Sequence, residues 1–173
     1  MKTRESRLAT ARLVMKSLEE CDRENLLRMA ADERVKKTYM MPDFADQAEA
    51  DAFFDRLRTL SASEGRFVYG IYLVSRLIGF LNDCGTEGKA VELGYFVDPE
   101  YWNRGYATEA LTAAIKELFR MGYEYVTAGY FAENPASRRV MEKCGMQPLV
   151  LETAIEHRGV SHRCLYCGIA RQD

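Results

Sequence analysis

Residues 92–146 read ELGYFVDPEYWNRGYATEALTAAIKELFRMGYEYVTAGYFAENPASRRVMEKCGM, and their pattern decides the fold. A strand over Ala90–Val97 runs into a glycine-bearing turn, Trp102–Thr108, and the turn opens a long helix. Ala107, Ala110, Leu111, Ala114, Ile115, Leu118 and Phe119 recur at steps of three and four, which lays one apolar stripe along that helix. Gly122 is placed to cap its C-terminus, because glycine enters the left-handed region without a Cβ penalty. A second strand, Tyr125–Phe131, follows. Strand, helix and strand make a βαβ unit, which nearly always closes a parallel pair. Asn134 and Pro135 then open a short helix, asparagine as cap and proline at the first position. Ala136, Val140 and Cys144 form its apolar stripe, and Gly145 ends it.

The turn carries the chemistry. The first N–H groups of a helix lack acceptors within it, and the dipole is positive at that end. A phosphate-bearing ligand is therefore expected at Trp102–Thr108. The position also suits a ligand because α/β sheets bind at the carboxyl ends of their strands, where connections diverge.

Upstream, Arg12–Leu18 alternates apolar and polar residues and reads as a first strand. Asp22 is placed to cap a helix carrying Leu26, Leu27 and Ala30, and Asp46 to cap one carrying Ala50, Phe53, Phe54, Leu57 and Leu60. Thr38–Phe44, broken by Pro42, is a loop. Phe67–Val74 and Leu77–Cys84 are strands joined at Ser75-Arg76, and Asp83–Lys89 reads as a turn. Downstream, Pro148–Glu156 and Val160–Ile169 form a closing hairpin about Arg158-Gly159. Hairpins around one parallel pair predict a mixed sheet.

Length suits one domain, residues 1–173, with a substantial core. A net charge of −2 argues against a general nucleic-acid binder. The N-terminus has no apolar core of signal-peptide length, and no stretch approaches the ~20 apolar residues that span a membrane. The expected location is the cytoplasm. Five cysteines without an export signal read as reduced thiols. Cys164 and Cys167 spell CxxC, but residues three apart in a strand point to opposite faces, and no second ligand pair is evident, so no metal is expected.

Taken in order, these features resemble the GNAT N-acetyltransferases, in the branch similar to bacterial ribosomal-protein N-terminal acetyltransferases. The family's acyl-donor loop, [QR]-x-x-G-x-[GA], is matched by Gly105-Tyr106-Ala107, with Trp102 departing at the Q/R position. The later pattern N-x-x-[AS]-x-x-[LV]-x-x-[KR]-x-G-[FM] is matched by Asn134, Ser137, Val140, Lys143, Gly145 and Met146. Thr10-Ala11-Arg12-Leu13 resembles the branch's T-x-R-L start.

The resemblance implies an α/β domain with a six- or seven-stranded mixed sheet, splayed at the centre and flanked by about four helices. It implies acetyl-CoA as co-substrate, with the pantetheine arm lying between Ala90–Val97 and Tyr125–Phe131. The pyrophosphate would rest on the amides of Asn103, Arg104, Gly105, Tyr106, Ala107 and Thr108, with side-chain help from Arg104 and Thr108. Arg138, Arg139 or Lys143 would meet the 3′-phosphate, although basic residues on such a face are commonly just solvated. Asn134 caps its helix or contacts the pantetheine, and the N–H groups of Phe96 and Val97 are the expected oxyanion donors.

The implied reaction is attack of an amine on a thioester. At pH 7 a lysine amine (pKa near 10.4) is about 0.04% neutral, and an α-amine (near 7.8) about 14%. The penalties are roughly 4.6 and 1.2 kcal/mol at ~1.4 kcal/mol per tenfold. Glu92 is the candidate base, through a water, or else a strand glutamate paired with a nearby Arg or Lys. Many family members carry an acidic tyrosine where Met141 stands, which leaves Ser137 or water to protonate the thiolate, or the thiolate to depart unaided. Tyr130 and Tyr166 have no support from spacing, and His157 and His162 read as structural or surface residues. The two N-terminal helices, the Thr38–Phe44 loop and the closing hairpin should enclose the acceptor, a peptide N-terminus or small-molecule amine. Tyr39, Met40, Met41 and Phe44 make that loop apolar, either to meet an apolar acceptor or to fasten the loop to the core. No nucleic-acid or membrane partner is expected, and the chain would be a monomer or homodimer. A non-catalytic acyl-CoA sensor, or transfer of a longer acyl group, is the alternative.

Overall fold

The protein is described by a computed structural model over residues 2–172. Its strands are β1 (Arg7–Ala9), β2 (Leu13–Lys16), β3 (Val68–Leu73), β4 (Arg76–Glu87), β5 (Ala90–Val97), β6 (Tyr125–Phe131), β7 (Gln147–His157) and β8 (Val160–Ala170). Its α-helices are α1 (Arg23–Ala31), α2 (Glu33–Lys36), α3 (Gln47–Ala62), α4 (Tyr106–Met121) and α5 (Pro135–Lys143). The strands form one mixed sheet in the order β1-β2-β3-β4-β5-β6-β8-β7. Among the described residues only β5 and β6 are parallel; α4 connects them, as the βαβ reading requires.

Period-two alternation divides the core. Tyr69, Ile71, Val91 and Leu93 pack on one face against Leu111, Ala114, Ile115 and Leu118 of α4. Val68, Tyr72, Phe80 and Phe96 point to the other face and meet Leu26, Met29, Val35 and Phe54 of α1–α3. Both faces are therefore covered, and the middle strands are apolar on both sides. Among the described residues no helix is long and apolar enough to cross a membrane.

The structure differs from the sequence reading in identifiable places. Eight strands stand where six or seven were expected. The addition is β1, three residues too short to show a pattern and defined by pairing, Leu8 opposite Met15. The first expected strand is confined to Leu13–Lys16. β4 runs on through Asp83–Glu87, expected as a turn: a bulge between Asp83 and Gly85 shifts the register, and pairing with β5 resumes to Glu87 opposite Ala90. Gly88, at φ +57°, makes the reversal. Asp22 precedes α1, but its carboxylate accepts from the Glu19 N–H and the Tyr72 hydroxyl instead. Asp46 does cap α3, accepting from the Glu49 N–H at 2.9 Å. In α5 the fully enclosed side chain is Met141, and Ala136 is exposed. Arg158 and Gly159 both have positive φ, as a tight I′ reversal requires.

Close approach of β4 to β5 positions the strand that matters most. A Cβ at Gly79 would lie 2.5 Å from the Phe96 carbonyl oxygen, a backbone atom that cannot swing aside. Gly79→Ala is therefore expected to destabilise the fold by about 1–3 kcal/mol. Urea unfolding measures this; unchanged stability would show that β5 is free to shift away from β4.

Candidate active site

The chain leaves β5 at Val97 and makes a 3-10 turn over Pro99–Tyr101. Asp98 is completely buried; its N–H donates to the Ile78 carbonyl, and its carboxylate accepts from the Glu100 N–H and pairs with Arg28. Trp102, the departure at the Q/R position, donates its indole N–H to the Val97 carbonyl at 2.6 Å. It thus ties the turn back to the strand end. Asn103 at φ +60° and Gly105 at φ +80° then reverse the chain into α4. The first bond of α4 runs from the Glu109 N–H to the Gly105 carbonyl, and no side chain caps the helix. Among the described residues, no protein acceptor meets the N–H of Asn103, Arg104, Gly105, Tyr106, Ala107 or Thr108. That run of free donors at a helix N-terminus lies where the anion cradle was expected.

The cradle opens onto a gap in the sheet. Parallel pairing of β5 with β6 stops at Leu93 opposite Ala128, while β5 stays paired with β4 through Val97 and β6 with β8 through Phe131. Beyond Leu93 the inner edge of β5 is open. Because the Asp98 N–H points at β4, alternation turns the Tyr95 and Val97 N–H groups into the gap and directs that of Phe96 into the β4 ladder. Of the N–H groups expected as oxyanion donors, that of Val97 faces the gap and that of Phe96 does not, whereas that of Tyr95 does.

A cleft of about 330 Å³ occupies this region. Its walls include Phe96, Val97, Trp102, Asn103, Gly105 and Tyr106. Ala107, Thr108, Asn134, Ser137 and Lys143, also expected, line it as well. Two expected ligands lie elsewhere. Arg138 is on the far side of α5, paired with Glu142 at 2.9 Å, and Arg139 lines the cleft instead. Arg104 turns its guanidinium toward the Tyr101 ring, and its carbonyl accepts from Arg12 at 3.0 Å.

Asn134 caps α5, accepting from the Ser137 N–H at 3.2 Å. The Ser137 hydroxyl meets the Tyr95 hydroxyl at 3.0 Å inside the cleft. Burial raises the pKa of Tyr95, so its phenol stays protonated. Tyr95 is the residue that the sequence reading missed: nothing in the alternation of β5 says which parity faces α5. Met141 is core, and the phenol stands on the strand instead of on the helix.

Glu92 occupies the opposite face of β5, two residues before Gly94 and beside Thr127 of β6. It does not line the cleft. It is partly buried, and among the described residues it makes no ion pair or hydrogen bond, so the paired-glutamate reading fails. Burial raises its pKa above the ordinary 4.5. Burial, with the Glu92 charge adding to it, also raises Cys164 and Tyr166, which share this surrounding. Cys167 belongs to the core on the other face of β8, as strand geometry requires.

Of the elements expected around the acceptor, the loop and the closing hairpin, joined by the end of α2, line a hollow of about 580 Å³ walled by Lys36, Lys37, Asp43, His157, Arg158 and His162, whereas no residue of α1 or α3 lines it. Arg158 at the hairpin tip pairs with Glu33 at 2.8 Å and Asp43 at 2.9 Å, and His157 donates to the Lys36 carbonyl. His162 stacks on Phe131 with ring centroids 4.6 Å apart. In the apolar loop, Met41 is buried, Tyr39 packs edge-on against Phe96, and Phe44 packs on Phe53. They fasten the loop to the core; of the four residues that make it apolar, Met40 is the exposed one.

An unpaired carboxylate with a raised pKa works against the fold once ionised. Its stabilising contribution is complete below about pH 4.5 and is lost as pH rises through the folded-state pKa. Glu92→Gln should therefore melt higher than the parent at pH 7, the difference shrinking as pH falls toward 4. Thermal unfolding across that range decides it, and a variant less stable at pH 7 would restore a structural role.

Comparison with known proteins agrees with this geometry. The model of the family described as "Acetyltransferase (GNAT) domain" matches residues 12–147. The chain is 29% identical over 142 residues to a protein of Bacillus subtilis strain 168 named "Uncharacterized N-acetyltransferase YnaD", covering 81% of this chain and 82% of that one. A GNAT-family acetyltransferase from Bacillus anthracis superposes with a TM-score of 0.81 at 26% identity, over 95% of this chain and 98% of its own. RimL, a ribosomal L7/L12 alpha-N-protein acetyltransferase solved with coenzyme A, shares the fold with a TM-score of 0.82 at 18% identity, over 94% and 96% of the two chains. The splayed sheet, the amide cradle and the family match lead to one conclusion: this chain belongs to the GNAT family of acetyltransferases.

Proposed function

We propose that this acetyltransferase moves the acetyl group of acetyl-CoA onto a primary amine, either a peptide N-terminal α-amine or that of a small molecule. The observation that carries the reading is the run of free amides from Asn103 to Thr108 at the mouth of a cleft along the open edge of β5. The residues present fit the co-substrate: N–H donors for a pyrophosphate, an unpaired strand edge for an amide-bearing arm, and Lys143 and Arg139 for a further phosphate. Coenzyme A in the RimL structure supports the assignment.

Acetyl-CoA supplies an acyl group on a leaving thiol of pKa near 8.5. The chain's own groups do the rest from the two faces of β5. Glu92, through a water, takes the proton that the acceptor ammonium must lose before its nitrogen can attack. The Tyr95 and Val97 N–H groups hold the carbonyl oxygen as charge develops on it. As the C–N bond forms and the C–S bond breaks, Ser137 delivers a proton to the sulfur and recovers one from the Tyr95 phenol, while the second proton shed by the nitrogen passes to solvent, from which Tyr95 is reprotonated. A serine alone is a weak acid; the buried tyrosine behind it answers the absence of an acid at Met141.

This equipment suits an acceptor that is already partly neutral. An α-amine has an advantage of about 3 kcal/mol over an unperturbed lysine. The α-N-protein activity in RimL's name points the same way. The test pairs a peptide with a free N-terminus against an N-blocked peptide offering only lysine, following free thiol at pH 7. The free N-terminus should react faster, and Glu92→Gln should lower turnover roughly 10²–10⁴-fold with coenzyme A affinity unchanged. Faster lysine acetylation, or full turnover in Glu92→Gln, would overturn the reading.

A further inference from the structure

The Thr10-Ala11-Arg12-Leu13 segment stands far from Gly105 in sequence and closes on it in the fold. Thr10 and Leu13 form a tight turn between β1 and β2: the Thr10 N–H donates to the Leu13 carbonyl at 2.9 Å, and the Leu13 N–H donates to the Thr10 hydroxyl at 2.9 Å. This turn presents a convergent set of donors to Glu109, in the first turn of α4. The Glu109 carboxylate accepts from the Thr10 hydroxyl at 2.6 Å, the Arg12 N–H at 2.8 Å and the Arg12 Nε at 2.7 Å. The same guanidinium donates through Nη1 to the Arg104 carbonyl at 3.0 Å and lies 4.5 Å from the centroid of the Tyr106 ring. Arg12 therefore grips the chain on both sides of Gly105, where the backbone is held in the left-handed region. It does not line the cleft.

We propose that Arg12, with Thr10 and Glu109, is a positioning residue that sets the amide cradle for the phosphates of the acyl donor; this rests on the acetyl-CoA reading above. Two physical effects combine. The turn has no side-chain cap of its own, so the bond to the Arg104 carbonyl fixes the peptide that aims the following N–H groups. Glu109 also places a negative charge in the helical turn whose positive end must hold an anion. Burial works to raise the Glu109 pKa, but the bonds from Thr10 and Arg12 outweigh it and hold the group ionised. Arg12 neutralises that charge at contact distance, so the field at the cradle stays positive.

The second effect gives a signature that a merely structural brace would lack. Arg12→Gln loosens the loop and uncovers Glu109; adding Glu109→Gln removes the uncovered charge. Calorimetry with coenzyme A should show affinity falling about 10–100-fold in Arg12→Gln, as expected for loss of charge-assisted bonds, and partly recovering in Arg12→Gln/Glu109→Gln. Weak binding of pantetheine, which carries no phosphate, should stay within about twofold by NMR titration, since the charged-group effect acts on the phosphates. If Arg12→Gln does not fold, Arg12→Lys keeps the charge beside Glu109 without the fork that reaches Arg104, and an intermediate loss is expected. A variant that binds coenzyme A like the parent, a double variant weaker than the single, or an equal loss for pantetheine would overturn the proposal. A parent that fails to bind coenzyme A would overturn the acetyl-CoA reading itself, and is seen before any variant is made.

Discussion

The rest of this structure depends on one interrupted ladder. β5 and β6 pair from Ala90 to Leu93 and then part, although each continues on its outer side, β5 with β4 and β6 with β8. Half a ladder of backbone groups is left without strand partners in the middle of a sheet that is otherwise covered on both faces. Buried backbone donors and acceptors are nearly always paired, so such an opening is stable only where water or a ligand completes it. One of the exposed groups, the Val97 carbonyl, is satisfied within the protein by the Trp102 indole. The Tyr95 and Val97 N–H groups remain for an incoming partner.

The same opening bears on the proposed acid and base. Successive residues of a strand face opposite sides, so Glu92 and Tyr95 lie on opposite faces of β5. In a closed sheet those faces would never meet a common atom. In the proposed reaction they act through the gap, Glu92 by way of a water from the α1–α3 side and Tyr95 from the α5 side. Both groups carry pKa values raised by burial, with different consequences. A raised carboxyl is a better base once ionised, whereas a raised phenol is a held proton. Glu92 is partly buried and lacks a counterion among the described residues.

Much of the site was legible in the sequence because its determinants are local. Gly105, Asn134 and Pro135 announce helix starts by their own conformational preferences, and the stripe from Ala107 to Phe119 announces which face is buried. What was not legible depends on register and on distant partners. The choice between Phe96 and Tyr95 as N–H donor is set by pairing parity with β4. The choice between Arg138 and Arg139 is set by the rotation of α5 about its axis. The length of β4 is set by a bulge at Cys84, and β1 exists only through its partner. The part played by Arg12 could not be read from its own neighbourhood at all, because Glu109 and Arg104 reach it only once β2 lies against α4.

The central claim is that the free amides of Asn103–Thr108 and the open edge of β5 form one continuous binding surface. Backbone amide NMR during a coenzyme A titration tests it directly. The largest shifts should fall on Asn103–Thr108 and on Tyr95 and Val97, with Phe96, whose N–H is held in the β4 ladder, moving less. Shifts confined to the Arg158 hairpin and the hollow beside it, or spread evenly over Tyr95, Phe96 and Val97 with none in the turn, would contradict the account.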